Sequence, residues 1–148
     1  LDTSAFIESW QRYYLIDSFP GIWNELESLI TNKRIIAPKE VLLEIKRKDD
    51  DLHKWIKNNE DIFIELDDDF QKAVSEIMTA FPKLVDERSG KSSGDPFVIA
   101  LAKIRKTPVI TYEKGGTEQR PKIPNVCNHY KIPCFGFIDL IQSENWKF

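Results

Sequence analysis

An α/β domain with a mainly parallel sheet is predicted, because short strand-like runs alternate with helical periodicities along the chain. The second observation is a set of isolated acids, Asp2, Glu44, Asp95 and Glu113, each placed where an apolar stretch meets a helix start or a loop. In an open parallel sheet, residues at the carboxyl ends of strands converge on one crevice although they lie far apart in sequence. The third is size. A chain of 148 residues with 41 % hydrophobic content can bury one good core, so a single domain over residues 1–148 is expected.

Leu1 leaves one apolar residue before Asp2, so the strand that should deliver Asp2 is nearly absent. Residues preceding Leu1 are expected to be mostly apolar, since a central parallel strand is buried on both faces. Phe6, Trp10, Tyr13 and Tyr14 recur at helical spacing, as do Ile22, Leu26, Leu29 and Ile30 after Pro20. Residues 34–37 read as a short strand. Pro38 opens a helix with Val41, Leu42 and Ile45 inward and Glu44 on the margin of that stripe.

Leu52, Trp55 and Ile56 mark a short helix, residues 62–66 a strand, and Phe70, Val74, Ile77, Met78 and Phe81 a longer helix closed by Pro82. The polar segment 83–94 reads as a loop. Residues 95–102 form a helix with Asp95 as cap and Pro96 in the first turn, and its apolar content requires burial. A strand over 108–111 leads to Glu113, followed by a loop over 114–122, a helix over 123–130, a strand over 133–137 and a last turn over 138–142. No internal repeat or linker interrupts this order.

No stretch approaches the roughly 20 apolar residues of a membrane span, and no signal peptide is expected. Cys127 and Cys134 stand seven apart, without a CxxC and with only His53 and His129 to help, so reduced thiols are expected in place of a zinc site. A cytoplasmic protein is expected. The net charge of −3 argues against a nucleic-acid partner until its distribution is read. Residues 49–69 hold nine acids against Lys54 and Lys57, which leaves the remainder of the chain at +4. The runs 49–51 and 67–69 read as solvated helix starts, since neither has the glycine and closing glutamate of a calcium-binding EF-hand loop.

Converging carboxylates repel one another and are costly to desolvate unless a cation sits among them. Hard oxygen ligands suit Mg2+ or Mn2+, ions that keep waters and bind phosphate oxygens. Taken singly, three of the acids also have a plain structural reading. Asp95 can serve as an N-cap, Asp2 and Ser4 can cap the first helix, and Glu44 can be an ordinary solvated helix residue.

The segments Asp2-Thr3-Ser4-Ala5-Phe6-Ile7, Ala37-Pro38 with Val41 and Glu44, Gly94-Asp95-Pro96-Phe97-Val98-Ile99-Ala100-Leu101-Ala102 and Val109-Ile110-Thr111-Tyr112-Glu113 resemble, in order and spacing, the successive signatures of PIN-domain nucleases. Tyr13-Tyr14, Phe19-Pro20 with Trp23, and Lys122-Ile123-Pro124-Asn125-Val126-Cys127 are similar to a prokaryotic branch of PIN-like proteins. The resemblance covers nearly the whole chain. It implies a Rossmann-like three-layer sandwich with strand order 3-2-1-4-5 and metal-dependent cleavage of single-stranded RNA, often as the toxin of a toxin–antitoxin pair. Products with 5′-phosphate and 3′-hydroxyl ends are implied as well.

On that resemblance Asp2 and Asp95 are the main ligands of Mg2+ or Mn2+, Glu44 is a ligand directly or through water, and Glu113 holds a second ion or a water. Glu113 stands where the family more often has the shorter Asp. Ser4 and Thr111 offer hydroxyls to orient water or phosphate, and Lys114, Arg120 and Lys122 occupy a loop that can grip the RNA backbone. Trp10, Tyr13, Tyr14 and Trp23 read as core or interface packing or, alternatively, base stacking, and since they exceed what one apolar helix stripe requires, a homodimer or antitoxin surface is expected. Two other classes compete. A haloacid-dehalogenase-type phosphatase needs Asp where this chain has Ser4, and a non-catalytic PIN-like module binding RNA or a protein would keep the fold without turnover.

Overall fold

A computed structural model describes residues 1–86, 88 and 93–148. Among the described residues, three helices begin where an aspartate offers a side-chain cap. Helix α1 (Thr3–Glu8) is capped by Asp2, whose carboxylate accepts the Ala5 amide proton. After α2 (Pro20–Thr31) comes strand β1 (Ala37–Pro38), and α3 (Lys39–Lys48) starts directly behind Pro38. Helix α4 (Asp50–Lys57) is capped by Asp49 and, beyond strand β2 (Phe63–Ile64), α5 (Asp68–Ala80) is capped by Asp67. Both acidic runs therefore start helices, and each cap contributes about 1 kcal/mol. The chain closes with α6 (Asp95–Arg105), β3 (Val109–Ile110), α7 (Ile123–His129), β4 (Cys134–Phe135) and α8 (Phe137–Ser143).

The architecture is α/β, with β1 parallel to β2 and β3 parallel to β4. Among the described residues each ladder is only two residues long, shorter than the strands predicted at 34–37, 62–66, 108–111 and 133–137. Residues 60–62 form a 3-10 turn, and the predicted last turn is the full helix α8. The two strand pairs are separate sheets. Between them stands the backbone of residues 1 and 2: the Leu1 amino group donates to the Ile36 carbonyl at 3.0 Å and the Asp2 amide to the Ile110 carbonyl at 3.1 Å. The predicted loop over 83–94 falls partly on residues 87 and 89–92, which lie outside the described residues.

Helix α6 runs through the middle of the core. Val98, Ile99, Ala100, Leu101 and Ala102 are all buried, and its largest contact is with α5. No helix among the described residues is long and apolar enough to cross a membrane.

The first predicted helix divides in two. After α1 the chain widens into a π-helical turn, Ser9–Tyr13, closed by the Tyr14 amide donating to the Ser9 carbonyl at 2.8 Å. Much of the aromatic content of the first two helices packs within the molecule, as the core reading expects. Trp23 is fully buried, meets Trp10 and Trp55 edge to face at 4.8 and 4.9 Å, and donates its indole N–H to the Tyr14 carbonyl at 2.6 Å. Tyr14 packs on Phe137, and of the four only Tyr13 is exposed. Trp23→Ala is expected to cost about 3–5 kcal/mol, because the cavity it leaves lies among rings that cannot collapse into it. A urea unfolding midpoint within error of wild type would contradict this packing.

Candidate functional site

Asp2, Glu44, Asp95 and Glu113 come from four separate segments of the chain and line one cavity of about 130 Å³. Asp2 precedes α1, Glu44 lies on α3, Asp95 is the first residue of α6, and Glu113 follows β3. Ser4 also lines the cavity, with Thr3, Ile7, Glu8 and Lys48. A larger cavity of about 450 Å³, lined mainly by apolar groups such as Ile36, Val98 and Ile110, lies between the strand pairs and includes none of the four predicted acids.

Asp2 is the most constrained of the four. It is 2 % exposed, and its carboxylate accepts hydrogen bonds from the Ala5 amide at 2.8 Å, the Ser4 hydroxyl at 2.9 Å and the Thr111 hydroxyl at 2.6 Å. The two hydroxyls are held in turn. Ser4 Oγ accepts the Tyr112 amide proton at 2.9 Å, and Thr111 Oγ1 accepts that of Glu113 at 3.0 Å. Burial nevertheless dominates: desolvation pushes the Asp2 carboxyl up to about 6 against these three bonds, and the charge of Glu113 adds to the shift. A carboxylate that resists ionisation in an otherwise well-bonded pocket favours a nearby cation.

Glu44 acts as a clamp between distant segments. Its Oε2 accepts from the Thr3 hydroxyl at 2.6 Å, and its Oε1 accepts from the Gly94 amide at 2.6 Å and the Ser93 hydroxyl at 3.4 Å. The plain reading of a solvated helix residue is thereby corrected, since Glu44 is only 8 % exposed. A Cβ at position 94 would stand 2.6 Å from Glu44 Oε1, so any larger residue there must displace the carboxylate. Gly94→Ala is expected to push the carboxylate off the Gly94 amide at a cost of about 1–3 kcal/mol, read as a lower urea midpoint. An unchanged midpoint would show that the clamp contributes nothing.

Asp95 is 6 % exposed and is not the cap of α6; that position belongs to Gly94, and Asp95 sits inside the first turn. The capping explanation for this acid is therefore corrected. Glu113 is half-buried, and its Oε2 accepts the Ile123 amide proton at 3.2 Å, which ties it to the first turn of α7. Tyr112, between Thr111 and Glu113, has its phenol pushed up to about 12 by burial, so it stays a neutral donor.

Lys114, Arg120 and Lys122 are exposed on the loop behind Glu113, and none of them lines the cavity. The cation that does is Lys48, one helical turn beyond Glu44 on α3, which the sequence reading passed over together with Glu8. The i, i+4 spacing of Glu44 and Lys48 was the available signal, because such residues share a helix face.

The donor set fits a hard divalent ion in kind: carboxylates and hydroxyls, with no histidine or cysteine among the described residues that line the cavity. As placed, no three acidic, histidine or cysteine side chains among the described residues stand close enough to hold an ion, and the oxygens of Glu44 are engaged with protein donors. Ion binding therefore requires side-chain adjustment, or waters between Glu44 and the ion.

The chain belongs to the family described as "Domain of unknown function (DUF4411)", which matches it over residues 1–148. Comparison with curated proteins and with solved structures gave no match.

Proposed function

We propose that this member of the DUF4411 family is a Mg2+- or Mn2+-dependent endoribonuclease of PIN-like fold that cleaves single-stranded RNA. The observation that carries the proposal is the meeting of Asp2, Glu44, Asp95 and Glu113 around one small cavity, with the hydroxyls of Ser4 and Thr111 bonded to Asp2. Strand placement supports it too. Residues 1 and 2 bond to Ile36 on one side and Ile110 on the other, so a first strand running into Asp2 would lie between the two strand pairs, as the proposed order 3-2-1-4-5 requires.

Asp2 and Asp95 are the residues to hold the ion directly, with Glu44 and Glu113 reaching it themselves or through water. When bound, the ion supplies positive charge that polarises phosphoryl oxygens and acidifies a water. The chain's own groups do the positioning. Ser4 and Thr111 fix the orientation of the Asp2 carboxylate, Gly94 and Thr3 fix that of Glu44, and the Ile123 amide fixes Glu113. Lys48 at the cavity wall offers the ammonium that an anionic phosphodiester needs among so many acids.

A non-catalytic PIN-like binding module is the second reading, favoured by the engagement of Glu44 as a clamp. Turnover separates the two. Purified protein with Mn2+ should release 5′-phosphate-ended fragments from a fluorogenic single-stranded RNA and stop when EDTA is added. Binding of the RNA without fragments would leave the module and remove the nuclease.

A further inference from the structure

Outside the carboxylate cavity, the molecule holds one near-parallel pair of aromatic rings among its described residues. Tyr13 and Tyr112 stack with centroids 5.0 Å apart and planes 20° from parallel, whereas Trp10, Trp23 and Trp55 in the core meet edge to face or tilted. Edge-to-face packing fills a core from several directions. A parallel pair whose outer ring lies in solvent leaves a flat face open to continue the stack. Tyr13 is that outer ring, at 53 % exposure, and Tyr112 is the half-buried inner one.

Position gives the pair its meaning. Tyr112 stands between Thr111, bonded to Asp2, and Glu113, which lines the cavity, and its own amide donates to Ser4 Oγ. Its phenol oxygen lies 3.4 Å from the Ser9 hydroxyl, which donates to it. Tyr13 is delivered by the π-helical turn Ser9–Tyr13 that follows directly on α1, and such turns are frequent at functional sites because the extra residue rotates the side chains after it. Arg12 beside Tyr13 and Lys114 beside Glu113 are both exposed, and Arg12 pairs at 3.1 Å with Glu8, which lines the cavity.

We propose that the Tyr13–Tyr112 stack is a platform for one unpaired nucleobase of a single-stranded nucleic acid whose phosphate lies at the carboxylate cavity. This rests on the nuclease reading for the identity of the ligand and adds what grips it. Every base presents a π-face, so the platform selects unpaired over paired strands without selecting a sequence. A duplex keeps its bases stacked on each other and cannot offer one to Tyr13.

The test is fluorescence anisotropy of a labelled phosphorothioate hexa-adenylate RNA in Mg2+, beside a ribose-phosphate hexamer without bases. Tyr13→Ala is expected to weaken hexa-adenylate binding about ten-fold, as loss of one base–aromatic stack does. Tyr13→Trp should bind at least as well as wild type, and neither substitution should change binding of the baseless hexamer. Thermal unfolding followed by circular dichroism checks that Tyr13→Ala remains folded, as its exposure leads one to expect. Hexa-adenylate binding by Tyr13→Ala within two-fold of wild type would overturn the platform, as would an equal loss on the baseless hexamer or no binding of hexa-adenylate by wild type. Base-dependent binding without RNA turnover would keep the platform and remove the nuclease; turnover unaffected by Tyr13→Ala, with unaffected binding, would do the reverse.

Discussion

Replacing Asp2 or Asp95 by Asn is expected to abolish Mn2+-dependent cleavage of single-stranded RNA while leaving a folded protein. Each change keeps the shape of the side chain and removes the charge that holds the ion, and the positive charge an ion supplies is worth several kcal/mol, roughly 10³-fold or more in rate. Folding should survive for different reasons at the two positions. Asn is as good an N-cap as Asp, so the bond from the Ala5 amide persists at position 2. The N-cap of α6 is Gly94, and Asn keeps the shape of the Asp side chain within the first turn, so the start of α6 is expected to stay intact. Rates would be measured on a fluorogenic RNA with each variant purified in parallel and its circular dichroism recorded. Equal turnover by wild type and either variant would overturn the assignment of that residue.

The second large effect is on stability without metal. Burial raises the Asp2 carboxyl from 3.8 to about 6, so the folded protein holds this proton more tightly than the unfolded chain. Ionisation of such a group opposes folding. The cost is absent below pH about 4, grows through the window between 4 and 6, and is complete above it, where it amounts to something on the order of 2–3 kcal/mol. Wild type should therefore lose stability as pH rises from 4 to 7 relative to Asp2→Asn, which carries no proton to lose, and the variant should be the more stable of the two at pH 7 in EDTA. Mn2+ reverses the order, because an ion bound to the carboxylate stabilises only the folded wild type. Chemical denaturation at several pH values with EDTA or Mn2+ measures both effects. Parallel midpoints for the two proteins across that range would show that Asp2 does not resist ionisation.

Local chemistry made much of this fold legible in the sequence. The spacing of Phe70, Val74 and Ile77 gave α5, Pro20 and the apolar residues after it gave α2, and the acids Asp49 and Asp67 announced two helix starts, because periodicity and capping depend on residues within one or two turns. The acids could be singled out for a related reason: Asp2, Asp95 and Glu113 stand where an apolar run meets an element boundary, and Glu44 stands on the margin of the apolar stripe of α3. Strand lengths were not legible. A residue joins a ladder only when a partner's backbone is opposite, and among the described residues each ladder finds two such pairs.

What the tertiary structure alone decided is the division of labour among the acids. Thr111 is bonded to Asp2 across 109 positions of sequence, and Gly94 to Glu44 across 50, so no local pattern could show that Glu44 is a clamp or that Gly94 takes the capping position from Asp95. The fate of the aromatic residues was settled in the same way. Trp23 and Tyr13 read alike as aromatic positions near the front of the chain, yet one is the centre of a tryptophan cluster and the other stands in solvent on Tyr112. A sequence fixes which side chains must leave water, whereas the partners that receive them depend on how distant segments are brought together, and that is where the chemistry of this cavity is set.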